Sequence, residues 1–537
     1  MQAVSQSWKD VHKQTLLNES YVEVFLDVAD PDALADATAI DNGSTYISNT
    51  SEVTSEVDVS VIPYGTLEQN MWVLDGSRKH IPTTNYIGGG YIGDSLSNET
   101  GVFATKIPVI TIEFKQVHSN LIPGVTITWG TVYNEFATRF VVTAYNGDEV
   151  VATKNIDDNK SVISVVALDI IDYDRITIEI LGWCLPNRRA RIDEIFVGWH
   201  KVYSKTDLMS YSHTQSVDPI STALPKMEIK FSIDNSDNSY NPYNLSGLAK
   251  YLTERQEVKT RYGLKLNDNT VEWIKGGTFY LSEWYAKQNG LTADFVARDL
   301  LEFMSAHYKD TISTPTSRSL YDLAVQVLES AGLPLNSDGT VKWVVHESLK
   351  SLSTTAPLPD DTIANCLQLI ANAGCCVLYH DRDGILHIEP INANTTDYEV
   401  NSFNSYSKPE ITLSKGIKNV VVKVYDYIEN DSGIEGKVVS EEIVSFGDTG
   451  ETITIDNPLI VRTNTIFTAL AKRVGQWVGD YLQHRMTLDS SVRADVRIDA
   501  LDIITNKHDY GTHTVRLTDV AFKFNGAFSG TSKGRVI

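Results

Sequence analysis

Apolar and polar residues alternate along most of this chain, the pattern of half-buried β-strands. SYVEVFLDV (20–28), VITIEF (109–114), RFVVTAY (139–145), RITIEIL (175–181), ARIDEIFVG (190–198), MEIKFSI (227–233), KNVVVKVYDY (418–427) and HTVRLTDVAFKF (513–524) carry it, rich in β-branched and aromatic residues. In the last run Val515 and Leu517 share one parity, while Val520, Phe522 and Phe524 share the other. That slip predicts a β-bulge, or a break, at Thr518-Asp519. Helical spacing is rarer. NTIFTALAKRVGQWVGDYLQHR (464–485) sets Phe467, Leu470, Val474, Trp477 or Val478, and Tyr481 on one stripe, an amphipathic helix suited to covering a sheet. SRSLYDLAVQVLESAG (317–332) and TIANCLQLIANAG (362–374) predict two more, each ended by glycine. Residues 66–203 read as purely β, with about eight strand-length runs at the spacing of a sandwich. The Asp-, Ser- and Thr-rich stretch over 28–66 reads as an exposed loop or irregular β segment.

Length and charge narrow the function. The 537 residues exceed one ordinary domain, and 46 basic against 69 acidic residues leave a net charge of −23. That balance argues against tight nucleic-acid binding, which needs clustered Lys and Arg, and against adhesion to an anionic membrane. No apolar run reaches the roughly 20 residues of a spanning helix, so no membrane insertion is expected. The N-terminal stretch lacks the apolar core of an export signal. The four cysteines, Cys184, Cys366, Cys375 and Cys376, show no metal-site spacing and read as small core residues in a reducing compartment.

Chemistry is sparse. The chain has no nucleophile elbow, phosphate loop or HExxH helix, and the glycines of IGGGYIG (87–93) suit a tight β-turn. DRDG (381–384) opens like a calcium loop but sits between two strand runs, so a hairpin turn is expected. SIDNSDNSYNP (232–242) lacks a closing glutamate and reads as Asx-rich turns. No enzymatic activity is indicated. The best candidate for ligand contact lies within 66–203, where sugar recognition would need an exposed aromatic plane beside Asn or Arg. Trp183, Asn187 and Arg188 in LGWCLPNRRAR (181–191), with Trp129 and Tyr133 in WGTVYNEF (129–136), form that candidate glycan-binding set. The competing reading places both tryptophans in the core, where their large apolar area usually goes.

From residue 203 onward the sequence resembles the hub proteins of phage tails, which share a core with the baseplate hub of contractile injection machines. The resemblance rests on residues 217–264, 276–304 and 356–391, on ITLSKGIKNVVVKVYDY (411–427) and NPLI (457–460), and on the long helix and the ending FKFNGAFSGTSKGRVI. LEQNMWVLDGSRKHIP (67–82), residues 90–114 and RITIEILGWCLPNRRARIDEIFVG (175–198) resemble a discoidin or carbohydrate-binding-module jelly roll.

The implied architecture is mainly β with α+β parts. Residues 1–65 would hold the first strand of a hub barrel, 66–203 an inserted jelly roll, and 204–308 the first barrel. Residues 309–410 would form a helix–hairpin domain, and 411–537 a second barrel with the long helix. Residues 20–30 should then pair with strands after 203 rather than with the jelly roll.

The resemblance implies a structural protein of the virion tail tip, assembled in the host bacterial cytoplasm. It would be a homotrimer closing the tail tube against distal-tail, tube-ring and tape-measure proteins, with a host cell-wall glycan as further partner. It implies no cofactor, beyond the structural calcium that jelly rolls of this kind can hold. A trimer would carry roughly −69, and an acidic channel lets DNA pass without holding it. The competing function is a cell-surface or secreted carbohydrate-binding protein.

Overall fold

The computed structural model describes the chain apart from residues 15–17, 44–49, 55–67, 69–89, 287–289, 311–314, 337–339, 392–394, 431–432 and 463–466. The fold is mainly β with a few helices, as the sequence predicts. Its largest element is a thirteen-stranded sheet curled around one core. The path runs Gly198–Tyr203, Ser20–Ala29, Glu257–Lys265, Val271–Ala286, Thr292–Arg298, Lys226–Asp234 and Leu208–Ser216. It continues through Gly511–Phe524, Phe528–Val536, Met486–Val492 and Glu410–Leu413. Ile503–His508 and Thr395–Val400 branch from Gly511–Phe524. Val24, Leu26, Phe231, Phe295, Leu488 and Phe522 all belong to the enclosed core. Within it Phe231 and Phe295 stack with centroids 4.9 Å apart.

Strand Ser20–Ala29 explains how the sheet is interrupted. It pairs antiparallel with Glu257–Lys265, Ser20 opposite Leu264 through Leu26 opposite Val258. On its other edge Val24 through Ala29 lie opposite Tyr203 through Gly198. The chain thus leaves the sheet at Ala29 and re-enters beside the same strand at Gly198. The pairing with Glu257–Lys265 is the one anticipated for residues 20–30, whereas Gly198–Tyr203, assigned to the insertion, belongs to this sheet as well. Burial along the strand alternates as far as Leu26, and from Asp27 to Ala29 every residue is buried. Alternation ends where sandwich residues begin to cover the outer face.

The intervening segment forms a sandwich of two sheets. Thr38–Asp41, Val109–His118, Tyr173–Trp183, Ala137–Asn146 and Glu149–Ile156 make one; Tyr91–Leu96, Arg189–Phe196, Ile122–Trp129 and Ile163–Ile170 make the other. Ile112, Ile127, Phe140, Ile178 and Ile192 fill the space between them. Thr38–Asp41 lies ahead of residue 66, so the sandwich draws on the stretch read as an irregular loop. That stretch also contains the helix Pro31–Asp36, whose first turn is capped by Asp30 accepting from the Asp32 amide at 3.1 Å. The turn expected over 87–93 lies partly outside the described residues, as does most of 67–82; from Tyr91 the chain is strand.

The two regions read as separate barrels share one sheet, because Tyr211–Ser216 pairs with Phe524–Asp519. The expected irregularity in 513–524 is a bulge: pairing to Phe528–Val536 shifts between Leu517 and Asp519 while the strand continues. All three predicted helices form. Leu320–Ser330 and Ile363–Ala373 are N-capped by Ser319 and Thr362 and bury their leucine and isoleucine faces together. Phe467–Gln483 covers a separate three-stranded sheet of Ile417–Asn430, Gly433–Ser445 and Glu451–Ile455, burying Leu470, Ala471, Val474 and Val478. Gly475 permits the close approach, since a Cβ there would lie 2.8 Å from Cγ2 of Val444. Among the described residues no helix is long and apolar enough to cross a membrane.

The four cysteines are free. Burial pushes the Cys366 and Cys376 thiols up to about 12 and Cys375 to about 11, as suits packing residues.

Candidate functional site

The five candidate glycan residues are brought together, but mostly inside the sandwich. Trp129 ends strand Ile122–Trp129 on the same face as Val125 and Ile127 and is fully buried, its Nε1 donating to Ser164 Oγ at 2.8 Å. Trp183 is 2% exposed and meets Trp129 edge-on at 6.0 Å. Neither indole offers the open face that sugar stacking needs, which corrects the expectation of an exposed aromatic plane there. Their apolar area has gone to the core. Arg188 is 2% exposed and equally unavailable. Tyr133 and Asn187 are half-buried and keep some surface. Asn187 occupies a left-handed turn with φ 54°, and the Tyr133 ring lies 5.5 Å from the guanidinium carbons of both Arg188 and Arg191.

What joins Trp183 to Arg188 is a buried carboxylate that sequence reasoning missed. Glu135, 0% exposed, accepts from Trp183 Nε1 at 2.7 Å and from Arg188 Nε and Nη2 at 3.0 and 2.6 Å. Arg191 Nη1 lies 3.5 Å from the same carboxylate. Glu68 completes the cluster through Arg191 and, at 3.4 Å, Arg188. The cluster ties the turn 130–136 and the residue at 68 to strand Arg189–Phe196. Among the described residues these bonds join the members of the cluster to one another, as in a structural clamp. Alternation would turn Arg191 away from the core that Ile192 enters, yet both are buried where the pairing of strand Arg189–Phe196 shifts register. The period-2 pattern therefore conceals this arginine.

A second set of contacts fixes the sandwich to the curled sheet. At the outgoing connection His118 Nε2 meets Asp36 Oδ1 at 3.0 Å, and His118 Nδ1 meets Asp30 Oδ2 at 3.5 Å. At the return, His200 Nδ1 meets Asp27 Oδ1 at 2.6 Å while its ring stacks on Phe196 at 3.7 Å. Thr126 Oγ1 donates to the Gly198 carbonyl at 2.9 Å. Asp169 accepts from Lys250 Nζ at 2.7 Å and from the Tyr251 hydroxyl at 2.5 Å, and these bonds hold its carboxyl below the usual range. Burial, reinforced by Asp30 and Asp36, pushes the Tyr173 hydroxyl far up. The insertion is therefore mounted at three places rather than hung on two loops.

Elsewhere the expected turns are present. DRDG closes the hairpin Val377–His380/Leu386–Glu389, with Asp381 Oδ1 accepting from the amides of Asp383 and Ile385, both at 2.9 Å. Arg382 turns inward, its Nε on Asp499 at 2.6 Å and its Nη atoms on the carbonyls of Lys275 and Ile498. Asp234 and Asp237 make Asx turns, and Asn235 Oδ1 closes the loop by accepting from the Tyr240 amide. Among the described residues no group of three or more His, Cys, Asp or Glu side chains is arranged to hold a metal ion.

No family model and no curated protein matches the sequence. Solved structures do resemble the fold. The 43 kDa tail protein of prophage MuSo2 from Shewanella oneidensis is 13% identical, over 62% of this chain and 95% of that one, with a TM-score of 0.42. A tail protein from Neisseria meningitidis MC58 is 12% identical over 62% and 93%, TM-score 0.40. The prophage tail protein gp18 from Listeria monocytogenes EGD-e is 12% identical over 62% and 91%, TM-score 0.39. At these scores the likeness is loose.

Proposed function

We propose that this chain is a structural, non-enzymatic protein of a bacteriophage tail or phage-tail-like particle. It acts as a homotrimeric hub at the tail tip, closes the tube against distal-tail and tube-ring proteins, and meets the tape-measure protein. The observation that supports the reading is the interrupted sheet. The resemblance to tail hubs implies an N-terminal strand over residues 20–30 joined to strands after 203, with a sandwich looped out between them. Ser20–Ala29 pairs with Glu257–Lys265 in that way, and no local pattern in the sequence demands it. The rigid mount of the sandwich suits a module that must hold a fixed direction on a particle. DNA would pass through the ring without being held, given the net charge of −23 per chain. Sizing and electron microscopy of the purified full chain test this: a threefold ring is expected, and a monomer at all concentrations would overturn it.

Contact with a host cell-wall glycan belongs to the same proposal, carried by the surface that Tyr133 and Asn187 retain. Glycan-array binding that Tyr133→Ala abolishes is the expected result; an array blank for the wild type removes this part and leaves the hub.

A further inference from the structure

The chain carries 69 acidic and 46 basic residues, yet the half-buried Arg516 has no carboxylate paired with it among the described residues. Arg516 sits in strand Gly511–Phe524 between Val515 and Leu517, which point into the core, so its side chain lies on the opposite face. The residue directly across from it, in Phe528–Val536, is Arg535. Like charges placed opposite each other weaken a strand pair.

Arg535 is accounted for. Its Nη1 donates to the carbonyl oxygens of His484 at 2.6 Å and Leu482 at 3.5 Å, and its guanidinium lies 4.8 Å from the Tyr481 ring centroid. It thus caps the C-terminal end of the helix Phe467–Gln483, where a cation is favoured. Arg516 has no such partner. Among the described residues its side chain forms no ion pair and no hydrogen bond, and its Nε is buried unsatisfied. Burial depresses its pKa, opposed only by the nearby Tyr481. The other charged groups around it are otherwise placed. Asp218 acts on the Tyr481 hydroxyl without pairing to Arg516, and Lys533 stands between Asp489 and Asp519, two residues along the neighbouring strand from Arg535.

We propose that Arg516 is a receptor for a carboxylate side chain of a second copy of this chain, with Tyr481 and Arg535 forming the wall of the receptor. The inference rests on the assembly reading above and names one contact that assembly would use. The planar guanidinium fork matches a carboxylate, and the chain's acidic excess supplies carboxylates on every copy. An unpaired cation on a sheet face costs the isolated chain stability, a cost that docking would reverse.

The test is sedimentation velocity over a dilution series with the full chain, Arg516→Gln and Arg516→Lys, alongside thermal melts of each at the lowest concentration. The expected result is self-association of the wild type, weakened at least about tenfold by Arg516→Gln, with Arg516→Lys between them. The melting midpoint of the dissociated Arg516→Gln chain should equal or exceed that of the wild type. Association unchanged in Arg516→Gln overturns the receptor and leaves the assembly standing, whereas a wild type that never associates sinks both. A lowered midpoint in the dissociated variant makes Arg516 a structural residue and also overturns it. So does duplex DNA binding that Arg516→Gln abolishes, since the site would then take phosphate.

Discussion

Removing the Glu135 carboxylate should unfold the sandwich far more readily than any surface change. In Glu135→Ala the Arg188 guanidinium, 2% exposed, loses two hydrogen bonds of 3.0 and 2.6 Å, and Trp183 Nε1 loses its acceptor. Breaking a buried ion pair by deleting one partner costs about 3–5 kcal/mol, and an orphaned buried donor adds about 1 kcal/mol or more. Glu68, 3.4 Å from Arg188, takes up part of the stranded charge. The net expectation is about 4 kcal/mol. With a urea dependence of roughly 2 kcal/mol per molar, the unfolding midpoint of the sandwich should fall by about 2 M. Tryptophan fluorescence reads this, because Trp129 and Trp183 both lie in the affected core. Pairing Glu135→Leu with Arg188→Met should recover much of the loss, since apolar replacement of a whole buried pair is often neutral. A midpoint for Glu135→Ala within roughly 0.5 M of wild type would refute the argument. The cluster would then be solvated in solution and could not act as a clamp.

Three further outcomes are expected. Arg382→Met should cost about 3 kcal/mol by stranding the hairpin from Asp499 and from the carbonyls of Lys275 and Ile498, and Arg382→Lys should rescue little because one ammonium cannot reach all three; denaturant melts decide. Burial, aided by Arg382, lowers the His213 pKa from 6.5 to about 3, so the folded chain holds it neutral. Its contribution is complete above pH 6.5 and is lost as the pH falls toward 3, at about 1.4 kcal/mol per unit, so His213→Gln should flatten the urea midpoint across that window. Gly124→Ala should disrupt the sandwich, because φ is 128° there and a Cβ would meet the Val166 carbonyl oxygen at 1.9 Å; a folded variant with native near-ultraviolet dichroism would contradict it.

Local periodicity alone makes the helices, most strands and the bulge at Thr518-Asp519 legible in the sequence. It also holds the answer for Trp129, whose parity matches Val125 and Ile127. Trp183 is harder. Strand Tyr173–Trp183 buries Ile176, Ile178 and Ile180 at even positions, and irregular pairing near Gly182 turns the odd-numbered Trp183 inward as well. The helix Pro31–Asp36 escapes such a reading although Asp30 and Pro31 are a capping pair, because its six residues are too few to show a period. Pairings between distant strands, such as Leu208–Ser216 with Gly511–Phe524, leave no local trace. They follow from which apolar faces remain uncovered once each unit has folded.

The shared strand Ser20–Ala29 bears on how such a chain is made. It leaves the ribosome before its partners Gly198–Tyr203 and Glu257–Lys265, which emerge more than 160 and 220 residues later. Closing so long a flexible loop carries an entropic cost that rises with its length. A sandwich that folds first brings Ala29 and Gly198 side by side and shortens the effective loop to a few residues. The inserted module would then be the template on which the curled sheet is completed, and lesions in its core would appear as failures of a sheet they do not touch.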